Sequence, residues 1–220
     1  MHLTRFEINA ARRDARFLLA SPQRMHAAVL ASFPPAQREA TEHGRVLWRV
    51  DERGNHTVLY LVSPFIPDLT HLVEQAGWPT TSTWQTRPYA PLLDRLERGS
   101  RWSFRLTANP VHSKRKSDAA ERSQRFGHVT VRQQEAWLLE RCERNGFVIP
   151  DGFGKEPDVA VHGRRIWRFD RGKNTVTLAT ATFEGTLEIS DAALFRRTLT
   201  HGIGAAKGYG CGLLTLAAAT

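Results

Sequence analysis

Twice along this chain, stretches that alternate apolar and polar residues give way to stretches with apolar residues every third or fourth position. That order limits the fold more than any single residue does. Residues 3–9, LTRFEIN, place Thr4, Phe6 and Ile8 on one side, the period of a half-buried strand. A helix is predicted from Ser21-Pro22, with serine at the N-cap and proline preorganised for the first helical position. Met25, Val29 and Phe33 recur every fourth residue as its core stripe, and Pro34-Pro35 ends it. Strands follow over 45–50 (RVLWRV) and 57–63 (TVLYLVS), joined by a hairpin-like loop containing Gly54. Asp68 is placed to cap a second helix carrying Leu69, Leu72, Val73 and Ala76, with Gly77 as its stop. Residues 78–99 read as irregular, and WSFRLTA at 102–108 as a further strand. The order is β-α-β-β-α-β, the split unit of ferredoxin-like domains.

The second half repeats much of this. Thr130 and Gln133 form a capping box ahead of a helix with Leu138, Leu139 and Cys142, ended by Asn145-Gly146. Strands are expected over 158–169 and 175–189, with Gly172 in the turn between them. Asp191 caps a last helix with Leu194, Phe195 and Leu199, and a last strand is expected over 212–217. The chain thus reads as α+β, two tandem ferredoxin-like (RRM-like) βαββαβ domains with antiparallel sheets. They span residues 1–112 and 113–220 and join near 109–125.

Charge narrows the partners. Thirty-one Lys and Arg against 22 Asp and Glu leave a net charge of +9, which draws polyanions. Eight of the basic residues and only two acids lie between Arg101 and Arg132. A second cluster, Arg164, Arg165, Arg168, Arg171 and Lys173, faces only Asp170. Clustering of this kind is the footprint of a phosphate backbone. No apolar run is long enough to span a bilayer and the N-terminus lacks an export signal, so no membrane association is expected. Cys142 and Cys211, far apart and without a CxxC pair, read as buried thiols of a reducing compartment, which makes the cytoplasm the expected location. Metal-ligand spacings and acyl-transfer nucleophile motifs are missing, so neither a metal nor another cofactor is expected. Of the aromatic residues, Trp84 and Tyr89 are the two expected to be exposed; most tryptophans lie in apolar contexts.

The most specific segment is GIGAAKGYGCG at 202–212, with Gly202, Gly204, Gly208, Gly210 and Gly212 around Lys207. Glycines let backbone approach a ligand, successive N–H groups can form an anion nest, and Lys207 adds charge. The segment follows a helix and precedes a strand, the reverse of the nucleotide-binding glycine loops. Taken alone it is equally consistent with a tightly packed turn.

This G-hydrophobic-G, five residues, G-hydrophobic-G pattern resembles the glycine-rich loop of the RAMP superfamily of CRISPR proteins. LTRFEIN, SPQRMH with His26, LWRVD at 47–51, FRLTANPVHSKRK at 104–116 and ATFEGTLEI at 181–189 are similar, in order, to the CasE family of type I-E systems. The resemblance implies metal-free cleavage of precursor CRISPR RNA at a repeat hairpin, leaving a 2′,3′-cyclic phosphate and a 5′-hydroxyl. It also implies retention of the product as a subunit of the Cascade complex; the isolated chain is expected to be a monomer. His26 matches the family's catalytic histidine, and imidazole can serve as base or acid near neutral pH. Gln23 stands where some relatives carry a tyrosine, and can orient a phosphate or a 2′-OH but not act as a base. Arg24 and Lys207 are candidates to stabilise charge on the phosphate. Lys114, Arg115, Lys116, Arg122 and Arg125, read as a polar loop, and Arg164, Arg165 and Arg168 are candidate contacts to the hairpin stem. The alternatives are a non-catalytic scaffold that holds CRISPR RNA and, more remotely, a general RNA-binding module.

Overall fold

The computed structural model describes residues 1–78, 84–114, 124–172 and 174–219. Arg115, Lys116 and Arg122 therefore lie outside the described residues, and of Lys114 and Arg125 only the backbone is described.

The first unit contains β1 (His2–Ile8), α1 (Arg13–Leu19), α2 (Pro22–Ala31), β2 (Leu47–Arg53), β3 (His56–Ser63), α3 (Thr70–Ala76) and β4 (Trp84–Pro88). Its sheet runs β2-β3-β1-β4, every neighbour antiparallel. A short α4 (Ala90–Leu93) leads to β5 (Arg101–Ala108). β6 (Val111–Lys114) and β7 (Gln124–Gly127) form a separate two-stranded ribbon. Then come α5 (Val131–Cys142), the two-residue β8 (Phe147–Val148), β9 (Val159–Arg171), β10 (Asn174–Ile189), α6 (Ala192–His201) and β11 (Leu214–Ala218). The second sheet runs β11-β5-β10, with both β8 and β9 paired to β10. Numbering the strands within each unit, both sheets have the order 4-1-3-2, two tandem ferredoxin-like arrangements.

Several expectations change. Residues 84–88 are not irregular but the fourth strand of the first sheet, paired with β1. The strand at 102–108 then opens the second sheet, between β10 and β11. The two sheets divide between residues 88 and 101 rather than at 112/113. The ends of the expected polar loop pair as β6 and β7. Tyr89 is 1% exposed and offers no free stacking face, while Trp84 is partly buried against the first core.

Local chemistry accounts for most of the elements. Met25, Val29 and Phe33, each at most 2% exposed, seat α2 on Phe6, Leu59 and Leu61. Burial of such side chains is worth about 1.5–3 kcal/mol each. Pro22 opens the helix, though the Ser21 side chain makes no cap hydrogen bond. The capping box at Thr130 and Gln133 is complete, and Asp191 accepts from the Leu194 N–H. Trp102, Phe104, Leu106, Trp137, Phe183 and Phe195 form the second core.

A buried polar clamp joins the sheets. Arg49, 2% exposed, reaches its neighbour Asp51 with Nε and Nη2 at 2.7 and 2.9 Å. Its Nη1 donates to the Arg105 and Leu213 carbonyls, both at 2.9 Å, and Nη2 to Thr215 at 2.8 Å. Arg105 pairs with Asp51 and Glu184, and Glu184 also receives Arg53 at 2.7 Å and His162 at 2.8 Å. The clamp fixes where β2 stands relative to β5, β10 and β11.

Candidate active site

His26 lies at the middle of α2, one position from the core stripe residue Met25, so its imidazole leaves the helix at the edge of the packed face. The glycine-rich segment closes over it. Ile203 N–H donates to the Gly212 carbonyl at 3.0 Å, and Gly212 N–H to Thr107 at 2.7 Å, which ties the loop to β5. Gly202, Gly204, Gly210 and Gly212 hold positive φ. A Cβ on Gly210 would stand 2.7 Å from the Trp48 ring, so the loop comes this close only with glycine there. A Cβ on Gly208 would lie 3.3 Å from His26 Nε2 and 3.4 Å from Cε1. The loop therefore presses its backbone against the imidazole edge.

Lys207, Gly208 and Tyr209 form one 3-10 turn at the tip of this loop. The preceding Ala206 holds φ at +61°, a left-handed conformation that costs a non-glycine residue energy and fixes the turn's direction. Tyr209 stands edge-on to His26, with ring centroids 6.2 Å apart, and edge-on to Phe169 of β9 at 4.9 Å. It links the helix of His26, the glycine loop and the basic hairpin.

Electrostatics around His26 are cationic. Its partial burial, then the charges of Arg45 and Arg171, hold its pKa below the ordinary histidine range. The imidazole is thus neutral at neutral pH. His26 Nδ1 is buried with no hydrogen-bond partner among the described residues, so none of their acids orients the ring. Lys207 is pulled below the ordinary lysine range by burial and then by Arg45. Arg45, Arg171 and Tyr209 are neighbours of His26 that sequence reasoning did not bring to it. Arg45 sits beside a strand in no recognisable motif, and only the fold brings it to α2.

The other candidates divide. Gln23 is half-buried on α2, one turn before His26. Arg24 turns away: its guanidinium stacks on Phe17 at 3.8 Å and donates to the Phe17 carbonyl at 3.2 Å. In β9, Gly163 holds φ at +56° beside a register shift opposite Thr180–Thr182, which resets the strand's alternation. Beyond it Arg165, Trp167, Phe169 and Arg171 share one face, the face that meets Tyr209 and His26. Arg165 stacks on Trp167 at 3.7 Å. Arg168 occupies the opposite face, and Arg164, inside the register shift, donates to the Val129 carbonyl at 2.9 Å. All four arginines of β9 are exposed. A cleft of about 350 Å³ separates the sheets; Pro22, Met25, Trp48, Arg105, Trp167 and Tyr209 are among its walls.

A family model described as "CRISPR associated protein" matches residues 1–218. The chain is 33% identical to the CRISPR-associated endoribonuclease Cse3 of Thermus thermophilus, across 99% of this chain and 100% of that one. It is 31% identical to the CRISPR system Cascade subunit CasE of Escherichia coli over 120 residues, 52% of this chain and 56% of that one. A solved structure of the Thermus thermophilus Cse3, bound to an RNA representing a pre-cleavage complex, superposes with a TM-score of 0.81 at 31% identity, covering 98% of both chains. The same strand order in both sheets, a histidine under a glycine-rich loop and full-length similarity converge: this chain belongs to the CRISPR-associated protein family, in its Cse3/CasE branch.

Proposed function

We propose that this protein is an endoribonuclease that binds the hairpin of a CRISPR repeat, cuts precursor CRISPR RNA without a metal, and keeps its product as a subunit of a Cascade complex. The observation that carries the reading is the His26 imidazole packed under the glycine-rich loop that carries Lys207, with an arginine-lined strand at its flank.

RNA carries its own nucleophile. Neutral His26 takes the proton of the 2′-OH as that oxygen attacks the adjacent phosphorus; the P–O2′ bond forms and the P–O5′ bond breaks. The 2′,3′-cyclic phosphate keeps the single negative charge of the diester, and the 5′ oxygen leaves as a hydroxyl. One proton moves from the 2′ to the 5′ oxygen, so no co-reactant is consumed. Lys207 offers its ammonium to the non-bridging oxygens, and Gln23 a hydrogen bond to the ribose or phosphate. Arg165, Arg168 and Arg171 on the exposed β9 strand supply backbone contacts to the stem, to which Lys114, Arg115, Lys116, Arg122 and Arg125 would add.

The test is cleavage of a cognate repeat RNA in EDTA by the wild type and by His26→Ala, with analysis of the product ends. The reading expects cutting in EDTA, cyclic phosphate ends and loss of cutting in the variant. Undiminished cutting by His26→Ala rejects it. Gln23 in place of a tyrosine favours a second reading, a non-catalytic scaffold for CRISPR RNA, which would bind the repeat and leave it intact.

A further inference from the structure

Most arginines around the inter-sheet cleft are already spoken for. Arg49, which is buried, and Arg105, which is partly buried, each pair with carboxylates. Arg53 and Arg101 sit on Glu184 and Glu188. Arg45 differs. It is partly buried, its Nε is sealed from solvent without a hydrogen-bond partner, and no carboxylate pairs with it among the described residues. A guanidinium held this way is under-satisfied, and an incoming anion would complete it.

The backbone holds Arg45 in place regardless of its side chain. Its N–H donates to the Thr200 carbonyl at 3.1 Å, at the end of α6 and two residues before the glycine-rich loop begins. Gly44 is pressed against the same carbonyl, which a Cβ would meet at 2.8 Å. Leu47 then packs under Gly202 and Trp48 under Gly210, so residues 44–48 run along the loop that covers His26. Arg45 bears electrostatically on both His26 and Lys207, from a third element. The charged groups acting on His26 are thus Arg45 ahead of β2 and Arg171 from β9, while Lys207 of the loop is under the charge of Arg45 and Arg24 of the same helix is turned onto Phe17.

We propose that Arg45 is a catalytic residue: its guanidinium binds the scissile phosphate beside His26 and stabilises the charge that builds on the non-bridging oxygens during 2′-OH attack. This rests on His26 being the base that activates the ribose. A planar guanidinium offers two parallel donors to two phosphate oxygens, a geometry lysine cannot reproduce. The same cation, after burial and together with Arg171, lowers the imidazole's pKa in the free protein.

Full-length Arg45→Gln and Arg45→Lys, with His26→Ala alongside, separate the outcomes. Single-turnover cleavage of the repeat RNA is followed against pH, RNA affinity is measured separately, and thermal unfolding confirms the fold. Arg45→Gln is expected to cut about 10²- to 10³-fold more slowly with affinity reduced by less than about tenfold, the share of one charged contact in a many-contact interface. Arg45→Lys should recover part of the rate. The acid limb of the pH–rate profile should move to higher pH in Arg45→Gln, because a positive charge no longer depresses His26. An unchanged rate and an unmoved limb in Arg45→Gln, with His26→Ala inactive, overturn the assignment and leave the site reading intact. Equal losses in affinity and rate also overturn it, since they mark a binding contact only. Full cutting by His26→Ala instead removes the reading beneath it.

Discussion

Gly208→Ala tests the fit between the loop and the imidazole. Gly208 is not among the positive-φ glycines, so alanine meets no backbone penalty there. The new methyl would stand 3.3 Å from His26 Nε2, 3.4 Å from Cε1 and 3.7 Å from Cδ2, so the ring or the turn must yield by a few tenths of an ångström. A displacement of about 1 Å can cost on the order of 10²-fold in rate, so a few tenths correspond to roughly three- to tenfold. Single-turnover cleavage under saturating protein reads this directly. RNA affinity should stay within about twofold, because alanine removes no charge from the phosphate contacts, and the unfolding midpoint should hold. Gly210→Ala is the contrasting variant. There φ is +78° and the methyl would meet the Trp48 ring at 2.7 Å, so stability itself should fall, by about 1–3 kcal/mol. A Gly208→Ala protein with wild-type cleavage would refute the claim that the loop positions His26.

Other consequences follow from the clamp and the basic surface. Arg49→Ala leaves the Arg105 and Leu213 carbonyls without their donor and Asp51 without its bidentate partner, a loss of about 3–5 kcal/mol by urea unfolding; less than about 1 kcal/mol would show that the clamp does not hold the sheets. Burial alone would raise the Glu184 carboxyl, but the Arg105 hydrogen bond and charge, with His162 and Arg53, outweigh it and hold it at about 2. Its stabilising share is therefore complete above the unfolded value of roughly 4.3 and is lost as pH falls toward 2. Unfolding midpoints measured from pH 6 to 2.5 should accordingly fall less steeply for Glu184→Gln than for the wild type. Arg165→Ala and Arg168→Ala should each lower the slope of log affinity against log salt by about one, and an unchanged slope would place that residue off the RNA.

The parts of the fold that were legible are those whose periodicity is strong and local. Thr4, Phe6 and Ile8 announce β1, and Met25, Val29 and Phe33 announce the buried stripe of α2. Alternation over 102–108 gives a strand but not its partner, and only the packing of Trp102, Phe104 and Leu106 against the second core decides which sheet owns it. β4, WQTRP, is polar and edge-placed and so carries no apolar signature; its pairing with β1 supplies what propensity does not. α1 is a single seven-residue element with two buried positions, Ala15 and Leu18, too few to show a period. The site was half legible. His26 emerged through family resemblance and the glycines through spacing. The sorting of β9 arginines onto two faces depends on the backbone at Gly163, and the arrival of Arg45 and Tyr209 at His26 depends on contacts between elements far apart in sequence.

The most direct trial removes a single oxygen atom from the RNA. A cognate repeat with hydrogen in place of the 2′-OH at the scissile nucleotide should bind the wild-type protein with unchanged affinity and remain whole. Cutting of that substrate at the ribose rate would mean that the attacking oxygen comes from elsewhere, and His26 would then have no 2′ proton to take.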